Sequence, residues 1–260
     1  LPDVVTVVHL GGLPCGMKKI SELAALYHFR VVEDCCHALG SEYLGDMVGS
    51  CRYSDISVLS FHPVKAITTG EGGMALTNNE KLYDRMKMLS SHGITKDDDL
   101  FEEKPDGGWY YEQQMLGYNY RMPDLNAALG LSQLKKLPQF LKRRRAIAER
   151  YLKELAGTPA RCCRAPDGCL SAYHLFIVHV DRRKEVYDAL RAEGIMAQIH
   201  YIPVYHQPYY RHLLGNVCLE CTEEYYQSCL SLPIYPLLRD DQQTYVISRL
   251  KEIMSELGCR

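Results

Sequence analysis

The feature that most restricts the fold is a strand–helix–strand spacing near the start of the chain. Val4 to Leu10 is an apolar run that ends in Gly11, Gly12, Pro14 and Gly16, and it reads as a buried strand leading into a loop. Met17 to Phe29 carries Ile20, Leu23, Ala24 and Tyr27 on one helical face, and Arg30 to Glu33 returns to a short strand. Two strands joined through a helix pair in parallel, because only a crossover of that length brings the second strand back in the same direction. Such sheets gather ligands at the carboxyl ends of their strands. There the chain places Glu33-Asp34-Cys35-Cys36-His37-Ala38-Leu39-Gly40. Asp34 falls where a strand-end carboxylate points into the crevice. Taken alone it reads equally well as a turn or helix-capping aspartate, and His37 alone reads as a packed histidine.

The stretch from Ser57 to Thr77, SVLSFHPVKAITTGEGGMALT, supplies the next strand end. An apolar run closes in Ser60, Phe61 and His62, a short loop presents Lys65, and a polar loop leads into a second apolar run from Met74 to Thr77. A lysine is ordinarily a solvated surface charge. Between two strands and beside buried structure it loses its proton more easily, which is what an amine that condenses with a carbonyl needs.

Further along, Asn79 to Ser91 reads as a helix, Gly93 to Gly108 as a charged loop, and Trp109-Tyr110-Tyr111 as an aromatic patch open to several uses. Pro123-Asp124 opens a helix running to Gln133. Phe140 to Leu155 forms another, and its Lys142, Arg143, Arg144 and Arg145 read as a solvated face. Gly157 to Gly168, with two prolines, reads as a boundary between residues 1–157 and 158–260. Beyond it we expect a small α+β domain: strands at Tyr173 to Val180 and Met196 to Tyr201, and helices at Arg183 to Glu193, Cys221 to Leu230 and Asp240 to Leu257.

Composition excludes several classes. A net charge of −2 over 260 residues gives no electrostatic footprint for nucleic acid or an anionic membrane, and no apolar run approaches membrane-spanning length. The eleven cysteines are scattered. Cys218 and Cys221 form a C-x-x-C, but no second pair stands at metal-finger spacing, so we expect no metal and reduced, packed thiols. A cysteine-dependent metal or redox protein is the weaker competing reading. The first residues carry Asp3 and no basic start, so they do not read as a signal peptide. The chain opens without Met inside a hydrophobic strand, which we read as a chain lacking its N-terminal region.

Asp34 ends one strand, Lys65 follows the next, and Ser60 lies beside that strand's end. An amine, a carboxylate and a hydroxyl so placed suit an aldehyde-bearing, phosphorylated, pyridine-type cofactor. The ordered motifs E-D-x-x-H-A-L-G, S-F-H-x-x-K-x-I-T-T-x-E-G-G, G-Y-N-Y-R and D-x-N-A-A-L-G-L carry a resemblance. They resemble the DegT/DnrJ/EryC1/StrS sugar aminotransferases. The segment from Ser91 to Glu112 is similar to those members that act in pseudaminic acid biosynthesis.

The resemblance implies an α/β fold of the pyridoxal-phosphate-dependent aspartate-aminotransferase type (fold type I), with an incomplete large domain and a small α+β C-terminal domain. It implies pyridoxal 5'-phosphate held by Asp34 at the ring nitrogen, His37 at the ring oxygen, Ser60 at the phosphate and Lys65 through its amine. Asn119 would reach a partner's phosphate across a homodimer with shared active sites. Arg121 would clamp the carboxylate of glutamate or 2-oxoglutarate, and Gln198, Ile199, His200, Tyr201 and Tyr209 would contact a UDP-sugar. A core strand followed by a turn competes for Gln198 and Ile199. Relatives that dehydrate carry histidine in place of this lysine, so Lys65 favours transamination. The implied reaction is ping-pong: glutamate gives its amino group, and C4 of a 4-keto-6-deoxy sugar nucleotide receives it, in the cytoplasm. The family also implies an N-terminal region with further strands, a phosphate-binding turn and part of the sugar site. Without that region phosphate binding is incomplete; the competing readings are another nucleotide-sugar aminotransferase of the same family and an inactive fragment acting only as a dimerisation module.

Overall fold

A computed structural model describes residues 1–260. The chain gathers into two compact units. The first comprises Leu1–His9, Cys15–Leu39 and Gly45–Lys136; the second comprises Leu10–Pro14, Gly40–Leu44 and Leu137–Arg260. No helix is long and apolar enough to cross a membrane.

In the first unit β1 (Val4–Val8), β2 (Arg30–Asp34), β3 (Ile56–Ser60) and β4 (Gly73–Leu76) form one sheet in that order. β1, β2 and β3 run parallel, with Val8 opposite Asp34 and Asp34 opposite Val58. The crossover from β1 to β2 is α1 (Met17–Tyr27), as the sequence spacing predicts. β4 returns antiparallel to β3, with Ser60 opposite Gly73, because the loop of residues 61–72 starts and ends at the same edge of the sheet, where the Phe61 amide donates to the Gly72 carbonyl. At the start of β4 a side chain on Gly73 would put its Cβ 2.8 Å from the Leu59 carbonyl oxygen, so only glycine lets the two strands close there.

Period-two alternation gives this sheet two unlike faces. Val31, Glu33, Ser57 and Leu59 are buried on one; Val32, Asp34, Ile56, Val58 and Ser60 are half-buried on the other. Paired residues share a face, so Asp34 and Ser60 lie on the same half-open face at the carboxyl edge. The opposite face holds a polar network. The His9 ring and the Glu33 carboxylate meet at 2.9 Å (Nε2 to Oε2), while the Cys15 amide donates to His9 Nδ1 at 3.0 Å. Ser54 and Ser57 also donate to Glu33. The sequence reading missed this network. Its signal was an acid, Glu33, on the same face of β2 as the buried Val31.

The unit continues with α2 (Glu80–Ser90) and α3 (Asp124–Leu134). Neither buries a side chain fully. On α3, Leu125 is 86% exposed and Leu131 65%.

The second unit contains α4 (Leu137–Glu154), α5 (Arg183–Ala192), α6 (Pro208–Leu214), α7 (Glu220–Ser228) and α8 (Asp240–Leu257). β5 (Phe176–His179) lies between β6 (Cys229–Leu232) and the two-residue strand Arg161–Cys162, all antiparallel. Tyr151, Phe176, Leu190, Leu230, Leu250 and Met254 anchor its core.

Two expectations change here. The basic run on α4 is not a solvated face. Arg144 is buried and donates through Nη1 to the carbonyls of Tyr173, His174 and Ile234 at 3.0–3.3 Å. Arg145 donates to Ser171 and Gly40 carbonyls, and Arg143 to the Leu238 carbonyl and to Asp240. Long guanidinium stems reach carbonyls that helix periodicity cannot reveal. The segment from Met196 to Tyr201 is not a strand either. It makes one isolated bridge, Gln198 with Ser231, and no ladder.

Candidate active site

Three sequence-predicted residues converge at the carboxyl edge of the parallel strands. Asp34 is the last residue of β2, and its Oδ1 accepts the Cys36 amide at 3.0 Å. Ser60 is the last residue of β3, and its Oγ accepts the His62 amide at 3.3 Å. That bond uses an acceptor site and leaves the hydroxyl proton to donate elsewhere. Lys65 follows in a tight turn closed by its own amide on the His62 carbonyl at 2.9 Å, and it is half-buried.

The loop that carries Lys65 is braced from both sides. Thr69 donates its amide to Phe61 at 3.0 Å, and the Thr68 hydroxyl donates to the same carbonyl at 3.0 Å. Thr68 Oγ1 accepts the Gly70 amide at 2.9 Å, and Thr69 Oγ1 donates to the Glu71 carbonyl at 2.6 Å. From α3, Asn126 Nδ2 donates to the Thr69 carbonyl at 2.6 Å. A loop tied this often presents its lysine in one place, which a reacting amine requires. Asn126 was part of a quoted motif, but sequence alone did not tie it to the lysine loop.

Cys36 is half-buried beside Asp34, and burial, the hydrogen bond to Asp34 and the Asp34 charge push its thiol up to about 12. The Lys65 charge pulls the same thiol the other way. One sulfur therefore senses both groups. Its neighbour Cys35 is fully buried on the other side, near the Glu33 network.

His37 is buried in the turn after β2. Asn119 and Arg121 are exposed and bonded to each other: Asn119 Oδ1 accepts from Arg121 Nε at 3.2 Å and Nη2 at 3.0 Å. Arg121 Nη2 also meets His92 Nε2 at 3.3 Å. Arg121, Tyr118, Tyr120, Glu71, Met74 and Met86 line a cavity of about 770 Å³ within the first unit.

In the second unit, Gln198 and Ser231 exchange backbone bonds at 3.2 and 2.8 Å, and His200 Nδ1 lies 2.8 Å from Ser231 Oγ. The Tyr225 hydroxyl donates to the His200 carbonyl at 3.0 Å. Ile199 is half-buried, and Tyr201 and Tyr209 are 52% and 71% exposed. The stretch is thus held by its backbone and by His200, with its tyrosines displayed.

A strand-end carboxylate and a braced loop amine on a parallel sheet suit chemistry in which an amine condenses with a carbonyl. The chain belongs to the DegT/DnrJ/EryC1/StrS aminotransferase family, whose model matches residues 3–251. It is similar to the UDP-4-amino-4,6-dideoxy-N-acetyl-beta-L-altrosamine transaminase of Campylobacter jejuni (strain 81-176), at 36% identity over 263 residues, covering 97% of this chain and 66% of the relative. Among solved structures it is similar to PseC of Helicobacter pylori, an aminotransferase involved in pseudaminic acid biosynthesis. That match has a TM-score of 0.87 and 30% identity over 96% of this chain and 66% of that one. The putative sugar aminotransferase Spr1654 of Streptococcus pneumoniae, in its PLP form, gives a TM-score of 0.83 and 27% identity over 98% and 69%. These neighbours share the aminotransferase fold. The chain spans 66% of the length of the Campylobacter relative.

Proposed function

We propose that this chain carries the site of a pyridoxal 5'-phosphate-dependent sugar aminotransferase. It would transfer the amino group of glutamate to C4 of a UDP-linked 4-keto-6-deoxy amino sugar, in pseudaminic acid biosynthesis. The observation that supports this reading is that Asp34 and Ser60 end neighbouring parallel strands on one face of the sheet, with Lys65 on the braced loop that follows. The residues fit the cofactor: a carboxylate for a protonated ring nitrogen, a hydroxyl proton for phosphate, and an amine on a braced loop. Bound there, pyridoxal phosphate would supply an aldehyde carbon that exchanges amines and a ring that takes up electron density from the reacting carbon.

The chain's own groups do the rest. Asp34 keeps the ring nitrogen protonated by presenting negative charge to it. Ser60 donates to phosphate, and His37 lies against the ring oxygen. The Lys65 Nζ would take a proton from the amino-bearing carbon and deliver it to the carbon on the other side of the nitrogen, a 1,3 shift. Arg121 pairs with the donor carboxylate; its present partner, the Asn119 amide oxygen, is neutral and is displaced by a charged one. Gln198, Ile199, His200, Tyr201 and Tyr209 face the nucleotide sugar. Asn119 reaches the phosphate of a second copy, so the enzyme works as a homodimer. The reaction belongs to the cytoplasm.

The test is chemical. The protein is incubated with pyridoxal phosphate, reduced with borohydride and mapped by peptide mass. The pyridoxyl group should sit on the Lys65 peptide, and Lys65→Ala should carry none and show no glutamate-dependent amination. Label on a different lysine, or turnover by the alanine variant, sinks the proposal.

A further inference from the structure

We propose that Asn126 is a positioning residue for Lys65, its carboxamide pinning the returning limb of the lysine loop to α3. This rests on the reading of Lys65 as the reacting amine of a pyridoxal phosphate site.

The loop closes first upon its own strands. The Phe61 amide donates to the Gly72 carbonyl at 2.9 Å, and the Thr69 amide returns to the Phe61 carbonyl at 3.0 Å. Asn126 ties it to a different element. The residue stands half-buried in the first turn of α3. Its Nδ2 donates to the Thr69 carbonyl at 2.6 Å and lies 3.3 Å from the Glu71 carbonyl. A carboxamide nitrogen carries two protons, so one side chain can serve both acceptors. Gly70 stands between those carbonyls with φ at 81°, and even a Cβ there would lie 3.7 Å from Asn126 Nδ2. The left-handed turn thus brings two loop carbonyls onto one donor.

A second contact sets how closely the helix approaches. Gly130 lies one turn beyond Asn126 on the same face of α3. A Cβ at Gly130 would fall 2.8 Å from Thr69 Cγ2. Thr69 is 3% exposed and its hydroxyl is engaged by the Glu71 carbonyl, so it has no room to swing aside. The bare glycine backbone lets α3 come near enough for Asn126 to reach the loop. Ser60 and Asp34, by contrast, stand on strands and owe their places to the sheet ladder. Loss of the Asn126 bonds should therefore disturb the amine and spare the ring and phosphate contacts, and small errors in placing a reacting group are expensive.

The test uses the full chain and its Asn126→Ala and Asn126→Asp variants. Two quantities are read. One is the single-turnover rate with glutamate, followed by loss of the bound cofactor's visible band. The other is the dissociation constant of pyridoxamine phosphate, which has no aldehyde, cannot condense with Lys65 and so reports the ring and phosphate contacts. Asn126→Ala should slow the single turnover roughly tenfold or more while its pyridoxamine phosphate affinity stays within about twofold of wild type. Asn126→Asp matches the natural side chain in size but turns a carboxylate toward two carbonyl oxygens, which favours its protonated form, and that form donates again. Its rate relative to wild type should rise roughly threefold or more from about pH 8 to about pH 6, while the alanine variant's relative rate stays flat. An alanine variant that loses pyridoxamine phosphate affinity as much as rate overturns the assignment, and so does an aspartate variant with no relative gain toward acid. Wild type that takes up no pyridoxal phosphate overturns the proposed function and this inference with it. Wild type that turns over normally beside an equally fast alanine variant overturns this inference alone.

Discussion

Glu33 shows how a buried charge is held in place. Burial acts to raise its pKa, but hydrogen bonds from His9, Ser54 and Ser57 outweigh that and hold the carboxyl below the usual range. A carboxyl whose folded pKa is depressed stabilises the fold fully above its unfolded value of about 4.3, and that contribution disappears as pH falls through the folded value. Glu33→Gln should therefore be less stable than wild type at neutral pH and show a shallower loss of stability below about pH 4, as read by urea titrations across pH. The thiols separate on the same grounds. Cys36, pushed up to about 12, should react far more slowly at pH 8 than the exposed Cys218 and Cys221, as measured by alkylation and peptide mass. Asp34 and Lys65 could be read from the sequence because strand ends and loop positions follow from hydrophobic period. The Cys36 contacts could not, because which of two adjacent side chains faces the crevice depends on a turn the period does not encode.

At the scale of elements, the parallel pairing of β1 with β2 was legible because an amphipathic helix between two apolar runs admits little else; the place of β3 beside β2 was not, since no helix joins them. The direction of β4 was not predicted, although the short polar loop before it leaves no room for a crossover. The segment from Met196 to Tyr201 misled because an alternating run reads as a strand whether or not a partner strand lies alongside it. The basic run on α4 misled for a different reason: arginine is polar in any pattern, yet Arg144 closes three carbonyls inside the second unit. Arg144→Ala should cost about 3 kcal/mol by leaving those carbonyls without donors. Lys142→Ala, on the exposed side of the same helix, should change stability by less than about 0.5 kcal/mol. Chemical denaturation of the two variants side by side decides it.

For the whole molecule, the outward apolar side chains are most telling on α3. Leu125, Leu129, Leu131 and Leu134 are 41–86% exposed, more bare leucines than a single eleven-residue helix usually carries on a monomer's surface. With the homodimer proposed above, Leu125→Glu/Leu131→Glu should lower the apparent mass in sedimentation at micromolar protein without lowering the thermal midpoint. An unchanged mass distribution would remove α3 from the interface.

The Arg144 clamp also sets an order of events during synthesis. Its acceptors at Tyr173 and His174 follow 29 and 30 residues later, and the one at Ile234 follows 90 residues later. The second unit therefore cannot complete that set of bonds until Ile234 has left the ribosome. Until Ile234 emerges, a nascent chain holds a guanidinium in wait, and a chaperone that shields α4 would have its longest opportunity then.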